Sequence, residues 1–512
     1  MNRPMNAATL PPDEDFARAY AGGRASVLTT TLVADLETPV SADLKLAAGR
    51  AGNMFLLESV EGGAQRGRYS MIGLDPDLIW RSSGAGAEIN RRAAVDPNAF
   101  ERCPGKPLEA LRALLAESRI DLPAGLPPMS AGVFGYLGYD MVRHMERLPP
   151  AKADPIGVAE AILIRPTVMV VFDSVRDEMV VVTPIRPARG VSALAAREAA
   201  QTRLDAVVAS LESPLDHRPP DVDPTLLADP AVSNTTESEF LAMVAKAKDY
   251  IVAGDAFQIV LSQRFTSRFE LPAFSLYRAL RRVNPSPYLC FLDFGGFQIV
   301  VSSPEILVRV REGRVTIRPI AGTRRRGATP EEDAALGAEL LADPKERAEH
   351  LMLLDLGRND VGRVARIGSV KVTDSFFIER YSHVMHIVSN VEGALRDGVD
   401  AVTALAAGFP AGTVSGAPKV RAMQIIDELE KDKRGIYAGC IGYFGAGGEM
   451  DTCIVLRASV VKDGLMHVQA GAGIVYDSSP VAEHNECIAK ARALFRAAEE
   501  AVRFAVRGKR GQ

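Results

Sequence analysis

The chain has 512 residues, 47% of them hydrophobic and 24% charged, with a formal net charge of −4. That length is too great for one ordinary hydrophobic core, and the faint negative charge with scattered arginines argues against nucleic acid or an anionic membrane surface as partner. Five widely spaced cysteines with no CxxC argue against a disulfide framework or a zinc site and fit a reducing compartment.

Residues 1–22 read as a loose arm. Asp13, Glu14 and Asp15 interrupt it and no apolar leader run is present, so a cytoplasmic location is expected. No stretch reaches the roughly 18 apolar residues of a membrane span. Residues 23–212 read as a region of mixed strands and helices. Val168–Phe172 and Met179–Val182 are strand-like around the turn Asp173–Asp177, and Val191–Leu211 has helical spacing. Residues 213–235, rich in proline and aspartate, read as a linker. The second region, 236–505, opens on the capping pattern Thr236-x-x-Glu239. Phe240, Met243, Val244, Ala247 and Ile251 then hold one apolar face up to Gly254. Strands are expected at 257–265, 298–302, 306–310, 436–444, 453–461 and 466–475. Helices are expected at 330–341, 345–356, 417–430 and 482–503, before a tail at 506–512. Strands come in adjacent runs and not in β-α-β alternation. The expected class is α+β, with a large antiparallel, sandwich-like sheet core flanked by helices.

Two acidic pairs stand out. Glu346 and Glu349, and Glu483 and Glu486, are each three apart on expected helices, so each pair shares a face. Such faces are commonly solvated; two facing one another would suit a hard cation such as Mg²⁺. The turn Pro410–Lys419 leads into a helix and lacks the Gly-Lys-Ser/Thr of a P-loop. It suits a carboxylate better than a nucleotide, or serves as a plain helix start. Arg324, Arg325 and Arg326 follow Gly322 and Thr323 at a strand end, either as a substrate rim or as a solvated hairpin edge. Arg457 sits in an apolar run and needs an anionic partner or an exposed edge. Gly471 and Gly473 flank Ala472 and permit close backbone approach. His386, among valines, reads first as a satisfied core histidine and second as a proton carrier.

Together these segments resemble the chorismate-utilising enzymes, most closely the anthranilate synthase component I family. The resemblance rests on Pro-Ile-Ala-Gly-Thr-Arg at 319–324, Ala-Glu-His-Leu-Met-Leu at 348–353 and Leu-Gly-Arg-Asn-Asp at 356–360. His-Val-Met-His at 383–386, Ala-Gly-Thr-Val-Ser-Gly-Ala-Pro-Lys at 411–419 and Gln-Ala-Gly-Ala-Gly-Ile-Val at 469–475 complete it. It implies Mg²⁺ on Glu349 and Glu486, supported by Glu346 and Glu483. It implies chorismate contacts at Gly322, Thr323, Tyr437, Arg457, Gly471, Ala472 and Gly473, with Arg457 on a substrate carboxylate. Glu305 is the implied general acid for the leaving 4-hydroxyl, His386 the proton carrier of pyruvate elimination, and Thr413 a neighbour of the ring. Ser59, Pro287, Tyr288 and Leu289 are the implied contacts of the feedback inhibitor L-tryptophan.

Relatives that activate a lysine carry it where this chain has Ala321 or Gln258, so ammonia is the expected nucleophile. No Gly-x-Cys-x-Gly elbow of a glutamine amidotransferase occurs. Glutamine use therefore implies a separate small subunit, in the family commonly two large with two small. The chain departs from the family at Ala489-Lys490 and at Met71. The rival readings are an aminodeoxychorismate or aminodeoxyisochorismate synthase, and a non-catalytic tryptophan-binding relic.

Overall fold

The computed structural model describes residues 13–61, 65–216, 230–381 and 384–507. Most of the expected linker (217–229), the tail from 508, the first 12 residues of the arm and His383 lie outside them. The rest of the arm is not loose. Asp13–Ala21 is a helix whose Phe16 and Tyr20 are buried, and the Tyr20 hydroxyl accepts a hydrogen bond from the Ala188 amide at 3.2 Å.

The expected hairpin forms with Met169 opposite Val182 and Asp173 opposite Glu178. Its strands, Ala161–Asp173 and Glu178–Ile185, extend to pair with Gln65–Ser83 and Ser26–Val33. The helix after the linker is Glu237–Val252. Its Thr236 side chain accepts from the Glu239 amide, and Glu239 returns a bond to the Thr236 amide. Thr236 thereby satisfies two donors that a helix start leaves orphaned.

The two regions do not build separate sheets. Met54–Glu61 of the first pairs with Tyr288–Asp293 of the second, and Gly132–Leu137 pairs with Cys440–Gly445. Every strand pairing among the described residues is antiparallel and belongs to one continuous network. The seam is aromatic: Phe55 stacks on Phe134 at 4.7 Å, and Phe134 meets Tyr443 at 5.6 Å. Helices cover the outer faces, with Pro344–Gly362 and Pro480–Arg507 the two that matter for chemistry.

Two expected strands change. The strand at 436–444 starts only at Cys440, because residues before it turn, with Ala438 at φ 64°. The run 453–461 splits into Met450–Ile454 and Ala458–Lys462. The break falls at Arg457, whose φ of 48° is incompatible with a strand. Apolar content predicted continuity there; the chain spends it on aiming one cation.

Because the seam joins both regions, Phe134→Ala is expected to cost about 3–5 kcal/mol. Urea unfolding followed by far-UV circular dichroism and Trp80 fluorescence should remain a single transition. Two separated transitions in the parent chain would contradict the shared sheet.

Candidate active site

The acidic helix Pro344–Gly362 starts on Asp343, which accepts from the amides of Lys345 and Glu346. Its Glu349 lies close enough to Glu486 of Pro480–Arg507 to feel that carboxylate's charge. Burial, reinforced by Glu346 and Glu486, lifts the Glu349 carboxyl above the usual range, and burial with Glu486 does the same for Glu483. Two cations relieve part of this charge: Arg324 binds Glu346 at 2.9 Å and Lys490 binds Glu486 at 2.7 Å. Glu349 has only a long 3.5 Å contact from the Gln258 amide. Among the described residues no three carboxylate, histidine or cysteine groups converge tightly enough to cage an ion by themselves.

Gly322 sits at a bulge in the strand Ile320–Arg325, with φ +73°. A β-carbon there would lie 3.1 Å from a Glu346 oxygen, so glycine allows the acidic helix to approach. The bulge also turns the Gly322 carbonyl onto Nδ1 of His386 at 3.0 Å, beside the Thr323 hydroxyl at 3.1 Å. A carbonyl can only accept, so Nδ1 carries the proton. Nε2 is then a bare lone pair, and it is buried without a partner. Burial, with Arg457 and Lys490 nearby, lowers the His386 pKa to about 4. Tyr381 packs edge-on against the ring at 5.5 Å.

Arg457 is half-buried, and desolvation weakens its hold on the proton; its guanidinium makes no ion pair among the described residues. The neighbouring arginines differ. Arg324 is held by Glu339, Asp343 and Glu346, Arg325 by Glu332 and Arg326 by Asp333, so this row pairs with two helices while the Arg325 side chain stays 66% exposed.

Glu305 lies in the connection between Gln298–Ser303 and Ile306–Arg311 and is 6% exposed. Both its oxygens lie 3.2 Å from the Thr413 hydroxyl, and burial raises its pKa to about 8. The turn carrying Thr413 is a single helical turn, Gly412–Ser415, then Gly416–Ala417 paired with Gln258–Ile259. Lys419 points away from it, into a buried pair with Asp360 at 2.8 Å. On the strand Leu465–Ile474, a β-carbon at Gly471 would meet the Tyr437 hydroxyl at 2.9 Å, and one at Gly473 the Gln258 amide at 2.6 Å. The bare Gly471–Ala472–Gly473 backbone therefore forms a floor between Tyr437 and Gln258.

A second cavity, of about 560 Å³, is lined by Ser59, Tyr69, Met71, Pro287 and Tyr288, with ion pairs Arg309–Asp451 and Arg318–Glu379 in its wall. Ser59 and Tyr288 face each other across the pairing, and Ser59 donates to the Tyr69 carbonyl at 2.8 Å. Leu289 is a correction to the expected set. Strand alternation sends it to the opposite face, where it is 2% exposed in the core with Leu56 and Phe291. Pro304 and Ile306 border this cavity, while Glu305 between them meets Thr413 instead.

Pairwise contacts and charge interactions link Gly322 to Glu346, Gly322 and Thr323 to His386, His386 to Arg457, and Glu349 to Glu346 and Glu486, while Glu305 meets Thr413. Sequence reading missed Lys490 as the partner of Glu486, although its i,i+4 spacing from that glutamate was the available signal. It also missed Arg434, discussed below.

The chain was compared with known proteins. A family described as chorismate binding enzyme matches residues 75–496. Anthranilate synthase component 1 of Cereibacter sphaeroides is 57% identical over 97% of this chain and 99% of that protein. The protein of the same name from Pseudomonas putida is 47% identical over 94% and 97%. The crystal structure of anthranilate synthase component I from Streptococcus pneumoniae superposes with a TM-score of 0.72 at 37% identity, covering 84% of this chain and 92% of that one.

The His386 geometry gives a spectroscopic expectation. Nitrogen-15 histidine NMR should show a neutral imidazole protonated on Nδ1 from pH 8 down to about 5, titrating only near 4. A midpoint at the ordinary value of about 6.5 would contradict the burial argument.

Proposed function

The chain belongs to the chorismate binding enzymes, on the branch of anthranilate synthase component 1, and from that premise we propose that its cleft turns chorismate and ammonia into anthranilate and pyruvate. The observation that carries the chemistry is a matched acid and base. Glu305 holds its proton up to about pH 8, and His386 keeps a bare nitrogen down to about pH 4. Across neutral pH one donates and the other accepts.

In this reading Arg457 takes a ring-system carboxylate, which supplies the anion that its burial demands. Tyr437 and the Gly471–Gly473 backbone bound the substrate from below. Ammonia adds at ring carbon 2 while Glu305 protonates the departing 4-hydroxyl, and Thr413 orients that carboxyl. From the resulting aminodeoxyisochorismate, Nε2 of His386 removes the proton whose loss expels pyruvate and makes the ring aromatic. Gly322 and Thr323 hold the imidazole in the tautomer this needs.

The acidic residues fit a hard divalent cation, which we assign as Mg²⁺. The donors are all carboxylate oxygens, and burial together with the neighbouring charge of Glu486 raises the proton affinity of both Glu349 and Glu483, an arrangement that a cation would relieve. Glu349 and Glu486 would hold it directly, with Glu346 and Glu483 behind them. Bound there, the ion offers Lewis-acid charge neutralisation to a second substrate carboxylate. Glutamine-derived ammonia would come from a separate amidotransferase subunit, in an assembly of two large and two small chains. Among the described residues no helix is long and apolar enough to cross a membrane, and the reading places the enzyme in the cytoplasm. The second cavity suits L-tryptophan: Tyr288, Pro287 and Met71 offer an apolar wall, Ser59 a hydroxyl and Arg309 and Asp451 charge. Its border residues Pro304 and Ile306 flank the general acid, so an occupant would press on Glu305 through its two neighbours.

With ammonium and Mg²⁺, the parent chain should yield fluorescent anthranilate and pyruvate together. His386→Ala should release a non-aromatic amino product and lose about 10²–10⁴-fold in anthranilate formation. Equal losses of amination and elimination would sink the role of His386. Because protonated Glu305 is the active form, kcat/KM should fall as pH rises through about 8, and Glu305→Gln should remove that limb. Ser59→Phe should weaken tryptophan inhibition while sparing turnover; unchanged inhibition would remove the effector assignment.

A further inference from the structure

Arg434 and Glu430 lie beneath the substrate floor and touch nothing that the reaction uses directly. They are an i,i+4 pair just past the helix Lys419–Leu429, with side chains 1% and 6% exposed. Burying two charges is costly, and an ion pair in a core often stabilises no better than apolar residues of equal volume. Their surroundings explain why they are there. The guanidinium binds Glu430 twice, at 2.9 and 2.6 Å, and two of its three remaining hydrogens go to the carbonyls of Val414 and Val260, each at 2.6 Å. One Glu430 oxygen also accepts from the Ser262 amide and the Ser262 hydroxyl, both at 2.8 Å.

Each of these groups adjoins a different part of the site. Val414 follows Thr413, the hydrogen-bond partner of Glu305. Val260 and Ser262 stand opposite Gly473 and Gly471 in the sheet register. Ser262 is tied in turn to Gln469, two residues before the floor, at 2.8 Å. The guanidinium also lies 5.7 Å from the Tyr437 ring centroid and 4.8 Å from that of Tyr139. The Val414 carbonyl belongs to a single-turn helix, where no helix continuation can satisfy it.

We propose that Arg434 and Glu430 form a positioning pair that holds the Thr413 turn, Tyr437 and the Gly471–Gly473 strand in their working geometry. Side-chain hydrogen bonds tie the pair directly to two backbone elements, the Val414 turn and the strand carrying Val260 and Ser262, and that strand's register carries the tie on to Gly471 and Gly473. A planar guanidinium is required, because a lysine ammonium cannot pair bidentately and also reach two carbonyls on opposite sides. This inference rests on Thr413 and the glycine floor being the reacting site.

The test uses the full chain with chorismate, ammonium and Mg²⁺. Arg434→Lys should lower kcat about 10–100-fold, the loss that a shift of about 1 Å in a catalytic group brings. The double variant Glu430→Leu with Arg434→Met keeps the volume and removes the buried charge. It should melt close to the parent, bind tryptophan with the parent's affinity and still lose turnover to the same extent, with KM for chorismate raised less than kcat is lowered. Parent-like kcat in both variants would overturn the proposal. Loss of the folded state in both would also overturn it, since the pair would then serve the fold and not the site. Thr413→Ala separates the two levels: if it leaves turnover intact, the reading of the site fails, whereas crippled Thr413→Ala with normal Arg434 variants fails the positioning pair alone.

Discussion

Four carboxylates brought to one opening by two helices set the terms for everything around them. Burial first, and the charge of neighbouring glutamates second, raises the proton affinities of Glu349 and Glu483. Arg324 and Lys490 relieve two of the four. Arg457 is half-buried and makes no ion pair among the described residues, and neither do Glu349 and Glu483. The proposed site therefore holds one unpaired cation and two carboxylates without an ion-pair partner among the described residues. A dicarboxylate accompanied by a hard divalent cation satisfies both at once.

The fold delivers this asymmetry by breaking its own strands. Gly322 bulges, which lets Glu346 approach and turns the Gly322 carbonyl, beside the Thr323 hydroxyl, onto His386. Arg457 leaves the strand line at φ 48°, and Gly471 and Gly473 leave bare backbone beneath Tyr437 and Gln258. Each is a local departure from regular pairing inside an otherwise continuous antiparallel network, which holds the irregular residues in place. The same network seats the second cavity on the other side of the segment carrying Glu305. In the short connection between two strands, Pro304 and Ile306 border that cavity while the Glu305 carboxyl meets Thr413.

Much of this was legible in the sequence. The α+β class, the capping box at Thr236 and the hairpin at 168–182 follow from local periodicity and turn chemistry. The i,i+3 glutamate pairs announced shared helix faces. Four things were not legible. Periodicity joined residues 453–461 into one strand, because apolar content cannot register a positive φ at Arg457. The arginines at 324–326 looked solvated, because their partners lie on helices reached only through the fold. Leu289 was grouped with its neighbours in a motif, though its side chain belongs to the opposite face of the sheet. Asp13–Ala21 looked loose because its few apolar residues find their partners on a helix almost two hundred residues away.

The central claim is that the acidic helices and Arg457 together bind a dicarboxylate only when a divalent cation joins it. Isothermal titration calorimetry tests it most directly, with chorismate titrated into the protein without ammonia, in EDTA and in Mg²⁺. The account predicts that Mg²⁺ tightens chorismate binding and that chorismate tightens Mg²⁺ binding by the same factor, as linkage requires. Equal chorismate affinity in EDTA and in Mg²⁺ would contradict it.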